Sequence, residues 1–194
     1  MVSYTQFLNR TMSALKAAQS VDVEERLDAA VNCCVYAALA NKPILACGNG
    51  GSAADCEHIV GELIGRFEKD RRPVHAISLV SHSSMMTAWS NDAGFDTVFA
   101  RQVQAFGMAG GVLLALSTSG ASRNVIEAAR VAKSAGLSVI AFTGEDHGVL
   151  GRLADVTLAA PSRETPIIQQ VHECWYHYLC LRIEAAVASD SAAN

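Results

Sequence analysis

Two side chains able to move protons, His58 and Glu62, stand four residues apart a few turns after a glycine-rich stretch, Gly48-Asn49-Gly50-Gly51-Ser52-Ala53-Ala54-Asp55. On a helix that spacing projects an imidazole and a carboxylate from one face, a pairing suited to acid–base work. Gln169 and His177 form a second pair, ~80° apart around an ideal helix, so the two can face one cavity. Spacing alone does not bring Glu62 to His177. A lone helical histidine is more often simply solvated or hydrogen-bonded, and His75 and His147 are read that way.

The glycine stretch follows an apolar run, Pro43 to Cys47, and precedes a helix-forming segment, which reads as strand, tight turn, helix. Glycines let the backbone approach a ligand, Ser52 adds a hydroxyl, and the first-turn N–H groups of the new helix point at it. A second such turn, Ser117-Thr118-Ser119-Gly120-Ala121-Ser122, follows the apolar stretch Gly111 to Leu116. Each turn by itself is no more than a turn. Two of them after strands, at the carboxyl ends where parallel sheets take ligands, favour a phosphate monoester held by neutral donors. A nucleotide is disfavoured, because there is no Walker lysine and the first turn lacks the third glycine of the dinucleotide pattern.

The elements that must hold these turns follow from periodicity. Phe7, Leu8, Met12 and Leu15 mark a helix over residues 4–18. A second helix is predicted to start at Asp22 as N-cap, with Glu25 reaching back and an apolar stripe from Leu27 to Leu39. Further strands are expected at Val74 to Leu79, Gly111 to Leu116, Ser138 to Phe142 and Val156 to Ala159. Helices are expected at Ser83 to Ser90, Val98 to Phe106, Arg123 to Ala135 and Thr165 to Ala188, with a polar corner at Asn91-Asp92-Ala93-Gly94 and a frayed tail from Ser189 to Asn194. Short continuous apolar strands alternating with helices mean an α/β fold, a parallel sheet covered on both sides.

The 194 residues, 51% hydrophobic, suffice for one ordinary core, and no linker or repeat divides them. A net charge of −4 leaves no basic footprint for nucleic acid or a membrane surface. The N-terminus has no secretory pattern and no apolar stretch approaches spanning length, so a cytoplasmic protein is expected. Cys33, Cys34, Cys47, Cys56, Cys174 and Cys180 form no C-x-x-C pair and read as small buried hydrophobes.

The glycine stretch with His58 and Glu62, then Thr87-Ala88 with Asn91-Asp92, then Ser117-Thr118-Ser119-Gly120 with Ser122, then Ile168-Gln169 with His172 and His177, resemble in order and spacing the phosphoheptose isomerases of the SIS (sugar isomerase) superfamily. The resemblance covers nearly the whole chain and implies one SIS domain over 1–194, with N-terminal helices in 1–41 and the α/β core with its C-terminal helix in 42–188. It implies a five-stranded parallel sheet and a homotetramer with sites at subunit interfaces. The implied reaction converts sedoheptulose 7-phosphate to D-glycero-D-manno-heptose 7-phosphate, towards the heptose of lipopolysaccharide. By position, Ser52, Ser117, Thr118, Ser119 and Ser122 would hold phosphate, while Asn49, Gly50, Gly51, Asn91, Asp92 and Gln169 would shape the sugar site. Glu62 and His177 would be the acid–base pair, and His58, Glu62, Gln169 and His177 would be zinc ligands.

The chain departs from the family at Gln170, where Glu is usual, at Ile167, where a basic residue is common, beyond Arg72-Pro73, where Pro-Gly often follows the arginine, and at Glu173, where an aliphatic residue is usual. On an ideal helix Glu173 lies between Gln169 and His177, placed to add a ligand or an orienting hydrogen bond. Two other readings compete. One is a non-catalytic SIS protein like the factor that binds the replication initiator DnaA, which lacks the glutamate and the last histidine. The other is an isomerase of a different sugar phosphate.

Overall fold

The protein is described here by a computed structural model covering residues 1–193. Helix α1, Tyr4–Ala17, opens on a capping box in which the Ser3 hydroxyl accepts from Gln6 N and the Gln6 amide oxygen accepts from Ser3 N. Helix α2, Val21–Leu39, is capped two residues before the expected position, by Ser20. Ser20 is extended and its Oγ accepts from Val23 N at 3.3 Å, so Asp22 falls inside the first turn, where its charge suits the helix dipole.

Then come β1 (Ile44–Cys47), α3 (Gly51–Ile64), β2 (Ala76–Ser78), α4 (Ser83–Ala93), a short 3-10 turn and α5 (Val98–Phe106). The chain continues with β3 (Val112–Leu116), α6 (Arg123–Ser134), β4 (Ser138–Thr143), α7 (Gly148–Leu153), β5 (Val156–Ala159) and α8 (Thr165–Ala193). The five strands form one parallel sheet in the order β2-β1-β3-β4-β5. Strand order therefore reverses between β1 and β3, where a doubly wound sheet opens a ligand crevice at its carboxyl edge.

Residues within each strand alternate between two cores. Ile44, Ala46, Val112, Leu114, Ile140 and Phe142 pack with α2, α3 and α8. Leu45, Cys47, Leu113, Ala115, Val139 and Ala141 pack under α5, α6 and α7. Because both faces are covered, the strands read as continuous apolar runs with no polar alternation.

Four expectations need correction. Strand β2 is shorter than Val74 to Leu79, because Val74 N is taken by Leu63 O at the end of α3 at 3.0 Å. Asn91, Asp92 and Ala93 belong to α4, and the break comes at Gly94, whose φ of 90° ends the helix. Helix α8 runs past Ala188 to Ala193, with Ser189 Oγ donating to Ala185 O, and Asn194 lies outside the described residues. Cys174 is exposed and Cys33 half-buried, whereas burial pushes the Cys180 thiol up to about 12 and raises those of Cys34, Cys47 and Cys56. Among the described residues no helix is long and apolar enough to cross a membrane.

Candidate active site

Both candidate turns sit at the switch point. The glycine turn leaves β1, the hydroxyl turn leaves β3, and these strands are paired neighbours. Neither following helix is closed by a side chain, since the cap residues Gly50 of α3 and Ser122 of α6 make no side-chain cap bond. Ser52 N and Ala53 N bond to the carbonyls of Asn49 and Gly50, and Val125 N donates to Asn124 Oδ1, so the first-turn amides left for an anion are those of Gly51 in α3 and of Arg123 and Asn124 in α6. Ser117 Oγ and Ser122 Oγ are 3.0 Å apart, while Ser119 Oγ accepts from Ala121 N at 3.2 Å. Gly120 is required here: its φ is 63°, and a Cβ would collide with the His147 carbonyl. Ser52 and Ser117 are buried, Thr118 and Ser122 half-buried, and Ser119 exposed.

A residue that pattern reading passed over joins the two turns. Asn124, buried in the first turn of α6, exchanges two amide hydrogen bonds of 2.9 Å with Asn49, and its Oδ1 also accepts from Val125 N. Its only signal was a buried-type position occupied by an asparagine just after the hydroxyl turn. A cavity of about 240 Å³ adjoins the hydroxyl turn, lined by Thr118 and Ser119 together with Ser162, Arg163 and Thr165 at the entry to α8.

Helices α3 and α8 pack side by side and run in the same direction. Gln169 lies against Gly51, where a Cβ would strike its amide, His58 meets Tyr176 and His177, and Glu184 meets residues 67–69. Asp55, His58 and Glu62 thus share the α3 face that looks towards Glu173 and His177. His58 Nε2 is 3.4 Å from His177 Nε2 and 3.3 Å from Glu62 Oε1, and His58 Nδ1 is 3.1 Å from the Tyr176 hydroxyl. Phe67 stacks on His177 with ring centroids 5.7 Å apart.

The segment between α3 and β2 fixes this pairing. The buried Glu184 carboxylate accepts from the backbone N–H groups of Phe67, Glu68 and Lys69 at 2.7 to 2.9 Å, with Arg71 Nε 3.6 Å away. Burial works against the Glu184 charge, but the three amides and Arg71 outweigh it and hold the carboxyl below its usual value. Arg71 also donates to the carbonyls of Glu62 and Gly65, closing the end of α3.

The field at the α3–α8 seam is negative. Asp55 is pushed up to about 6, first by burial and then by the Glu173 carboxylate, with His58 pulling the other way, and its Oδ2 has no hydrogen-bond partner. Burial, then Asp55, Glu173, Cys180 and Glu62, raise the Tyr176 phenol. Ligand atoms of His58, Glu173 and His177 all lie within 4.8 Å of one another, a His/Glu group able to hold a metal. Two Zn–N bonds of ~2.05 Å at a tetrahedral angle place their nitrogens about 3.3 Å apart. The observed 3.4 Å between the two Nε2 atoms fits that, and an orphaned carboxylate oxygen beside them suits a cation.

Of the expected site residues, the structure gathers His58, Glu62 and His177 at one end of the seam and Gln169 with Gly50, Gly51 and Ser52 at the other. Asn91 and Asp92 stand exposed at the end of α4, hydrogen-bonded to each other at 2.9 Å. Tyr176 joins the site without having been anticipated, because an aromatic residue on a largely apolar helix reads as core.

Comparison with known proteins agrees with this geometry. The family model for the SIS domain matches residues 3–144. The chain is 49% identical over 161 residues to a phosphoheptose isomerase of Bordetella avium, covering 81% of this chain and 82% of that protein. It is 47% identical over 156 residues to one of Bradyrhizobium sp. strain BTAi1, covering 80% and 79%. Among solved structures, the phosphoheptose isomerase of Neisseria gonorrhoeae superposes with a TM-score of 0.87 at 38% identity, covering 93% of this chain and 96% of that one. The enzyme from Francisella tularensis gives 0.88 at 31% identity, with the same coverage. With two open helix N-termini at a switch point and a histidine–glutamate seam beside them, the chain belongs to the phosphoheptose isomerase family of SIS-domain proteins and is an isomerase.

Proposed function

We propose that the protein interconverts sedoheptulose 7-phosphate and D-glycero-D-manno-heptose 7-phosphate, on the route to the heptose of lipopolysaccharide. The observation that carries this is the meeting of Glu62, His58 and His177 on one seam whose other end opens at the two turns. Residue His58 lies seven positions beyond Gly51, a rise of ~10 Å along α3, so an anchored phosphate leaves the far end of a short sugar chain beside the acid–base groups.

The phosphate is held by Ser52, Ser117, Thr118, Ser119 and Ser122 with the first-turn amides of Gly51, Arg123 and Asn124, donors that need no lysine. Asn49, Gly50, Gly51 and Gln169 line the sugar path, with Asn91 and Asp92 reaching it from a neighbouring subunit. Glu62 takes the proton from C1 and returns it to C2, and His177 moves the proton between the two sugar oxygens, through an enediol. Every proton removed is restored, so the reaction needs no oxidant.

The resemblance assigns zinc to His58, Glu62, Gln169 and His177. Zinc bound there supplies polarisation of the substrate carbonyl. The Tyr176 hydroxyl beside His58 Nδ1 orients that ring and leaves Nε2 turned to the seam.

The chain works as one domain in a homotetramer in the cytoplasm. The exposure of Leu8 and Met12 on α1 supports the assembly, since packing within the subunit leaves that stripe half uncovered.

The test is to incubate the purified protein with sedoheptulose 7-phosphate, and in parallel with arabinose and hexose phosphates, and follow anomeric NMR signals. Aldose signals from the heptulose are expected. Turnover of a different ester alone would reassign the substrate, and no turnover of any would sink the enzymatic reading of this site.

A further inference from the structure

We infer that Phe67 is a positioning residue for His177, its ring held against the imidazole by a strap, residues 65–71, that the buried Glu184 carboxylate clamps to α8. This rests on the isomerase reading above, in which His177 moves a proton between the sugar oxygens.

The imidazole needs such a support. His177 is half-buried, its last side-chain torsion is intrinsically soft, and a histidine that gives and takes protons is ordinarily oriented by a hydrogen bond at its other nitrogen. Among the described residues the hydrogen-bond contact of this ring is the long 3.4 Å approach to His58 Nε2, too weak to fix it. Ring contacts take over. Phe67 stacks on His177 with centroids 5.7 Å apart and planes 30° from parallel, while His58 and Tyr176 meet the ring edge-on at 4.9 and 4.8 Å. His58 and Tyr176 are carried by helices, whereas Phe67 stands on chain with no helix or strand of its own and must be anchored.

Glu184 supplies the anchor. It follows His177 by seven residues, two turns or ~10 Å along α8 and within ~20° of the same face. Three successive N–H groups, those of Phe67, Glu68 and Lys69, converge on its two oxygens, a backbone nest filled by a side-chain anion. Within residues 65–70 only Phe67 is withdrawn from solvent. The strap is thus fixed through its backbone and turns one side chain inward, onto the imidazole. Arg71 joins the clamp to the other acid–base group: its side chain is 1% exposed, its Nε lies 3.6 Å from Glu184, and it donates to the carbonyl of Glu62 at 2.7 Å.

The experiment compares the wild type with Phe67→Leu, Phe67→Tyr and Glu184→Gln on sedoheptulose 7-phosphate. Turnover is measured beside the exchange of the carbon-bound substrate proton with deuterated water, and thermal melts confirm folding. We expect Phe67→Leu to lower kcat by about 10- to 100-fold with KM within about twofold, as for a reacting group out of place and not for lost substrate binding. Exchange, the work of Glu62, should fall much less than turnover. Phe67→Tyr keeps the aromatic plate and should hold kcat within about threefold of wild type. Glu184→Gln strands backbone donors of the strap and should repeat the Phe67→Leu pattern at a lower melting temperature. If it does not fold, the two Phe67 variants decide. Wild-type kcat in a folded Phe67→Leu, or equal loss of turnover and exchange, overturns the inference and leaves Phe67 a packing residue of an intact isomerase. A wild type that turns over no sugar phosphate overturns the isomerase reading and this inference with it.

Discussion

Asn49 and Asn124 lock the turn after β1 to the start of α6 through a reciprocal pair of amide hydrogen bonds, each 2.9 Å long. One belongs to the turn after β1, the other to the first turn of α6, and the pair spans the point where strand order reverses. The spacing between the two helix N-termini thus depends on this pair, in which Asn124 stands outside the proposed sugar path. Replacing Asn124 by Ala leaves the half-buried Asn49 amide without its partner and should cost about 1–3 kcal/mol of stability. It should also raise KM for the sugar phosphate more than it lowers kcat. Equal KM in a variant that melts lower would reduce the pair to a structural clasp.

Ser119→Ala removes an exposed hydroxyl at the mouth of the turn proposed to hold phosphate. Phosphate binding is shared by ground and transition states, so KM should rise about tenfold with kcat little changed. An unaltered KM would move the phosphate away from this turn.

Glu62→Gln keeps the shape of the side chain and deletes the proposed base. It should abolish isomerisation and the exchange of the carbon-bound substrate proton with deuterated water, a loss of about 100-fold or more. His177→Gln should stop turnover while retaining some exchange. Deuterium uptake followed by NMR decides between them, and undiminished exchange in Glu62→Gln would falsify its role as base.

His172 carries the acid side of the stability profile. It is fully buried, its Nε2 lies 2.9 Å from Thr143 O, and burial lowers its pKa from 6.5 to about 4 despite that carbonyl. The folded protein therefore binds the proton more weakly than the unfolded chain. Its contribution is complete above pH 6.5 and is lost as pH falls towards 4, by about 3 kcal/mol. Glu184, also depressed, acts in the same direction, and Asp55, raised to about 6, acts against them. Chemical denaturation of the apoprotein at pH 7.5 and 4.5 should show a drop smaller by about 2–3 kcal/mol in His172→Gln than in the wild type. Identical drops would mean that His172 charges without cost.

Leu8 and Met12, 38% and 50% exposed, should be covered in the assembled protein. The double variant Leu8→Glu, Met12→Glu should lower the mass found by light scattering at micromolar concentration without lowering helix content. A wild type that is already monomeric at that concentration removes the tetramer.

Local pattern was enough for the sheet, the two turns and the His58–Glu62 face. Strands buried on both sides must read as short apolar runs, a chain leaving such a strand into a helix needs glycine or hydroxyl residues, and side chains four apart on a helix share a face. None of that depends on distant parts of the chain. What only the tertiary structure decided is which distant residues meet. Tyr176 reaches His58 across 118 positions and Glu184 reaches Phe67 across 117, because α3 and α8 run in the same direction along the seam. That shared direction sets Gln169 beside Gly51 and leaves Glu173 beside the histidines, a choice that residue types on α8 could not make. The Asn49–Asn124 clasp has the same origin: its two amides come from elements 75 residues apart, and only the β1–β3 pairing brings them within hydrogen-bond reach.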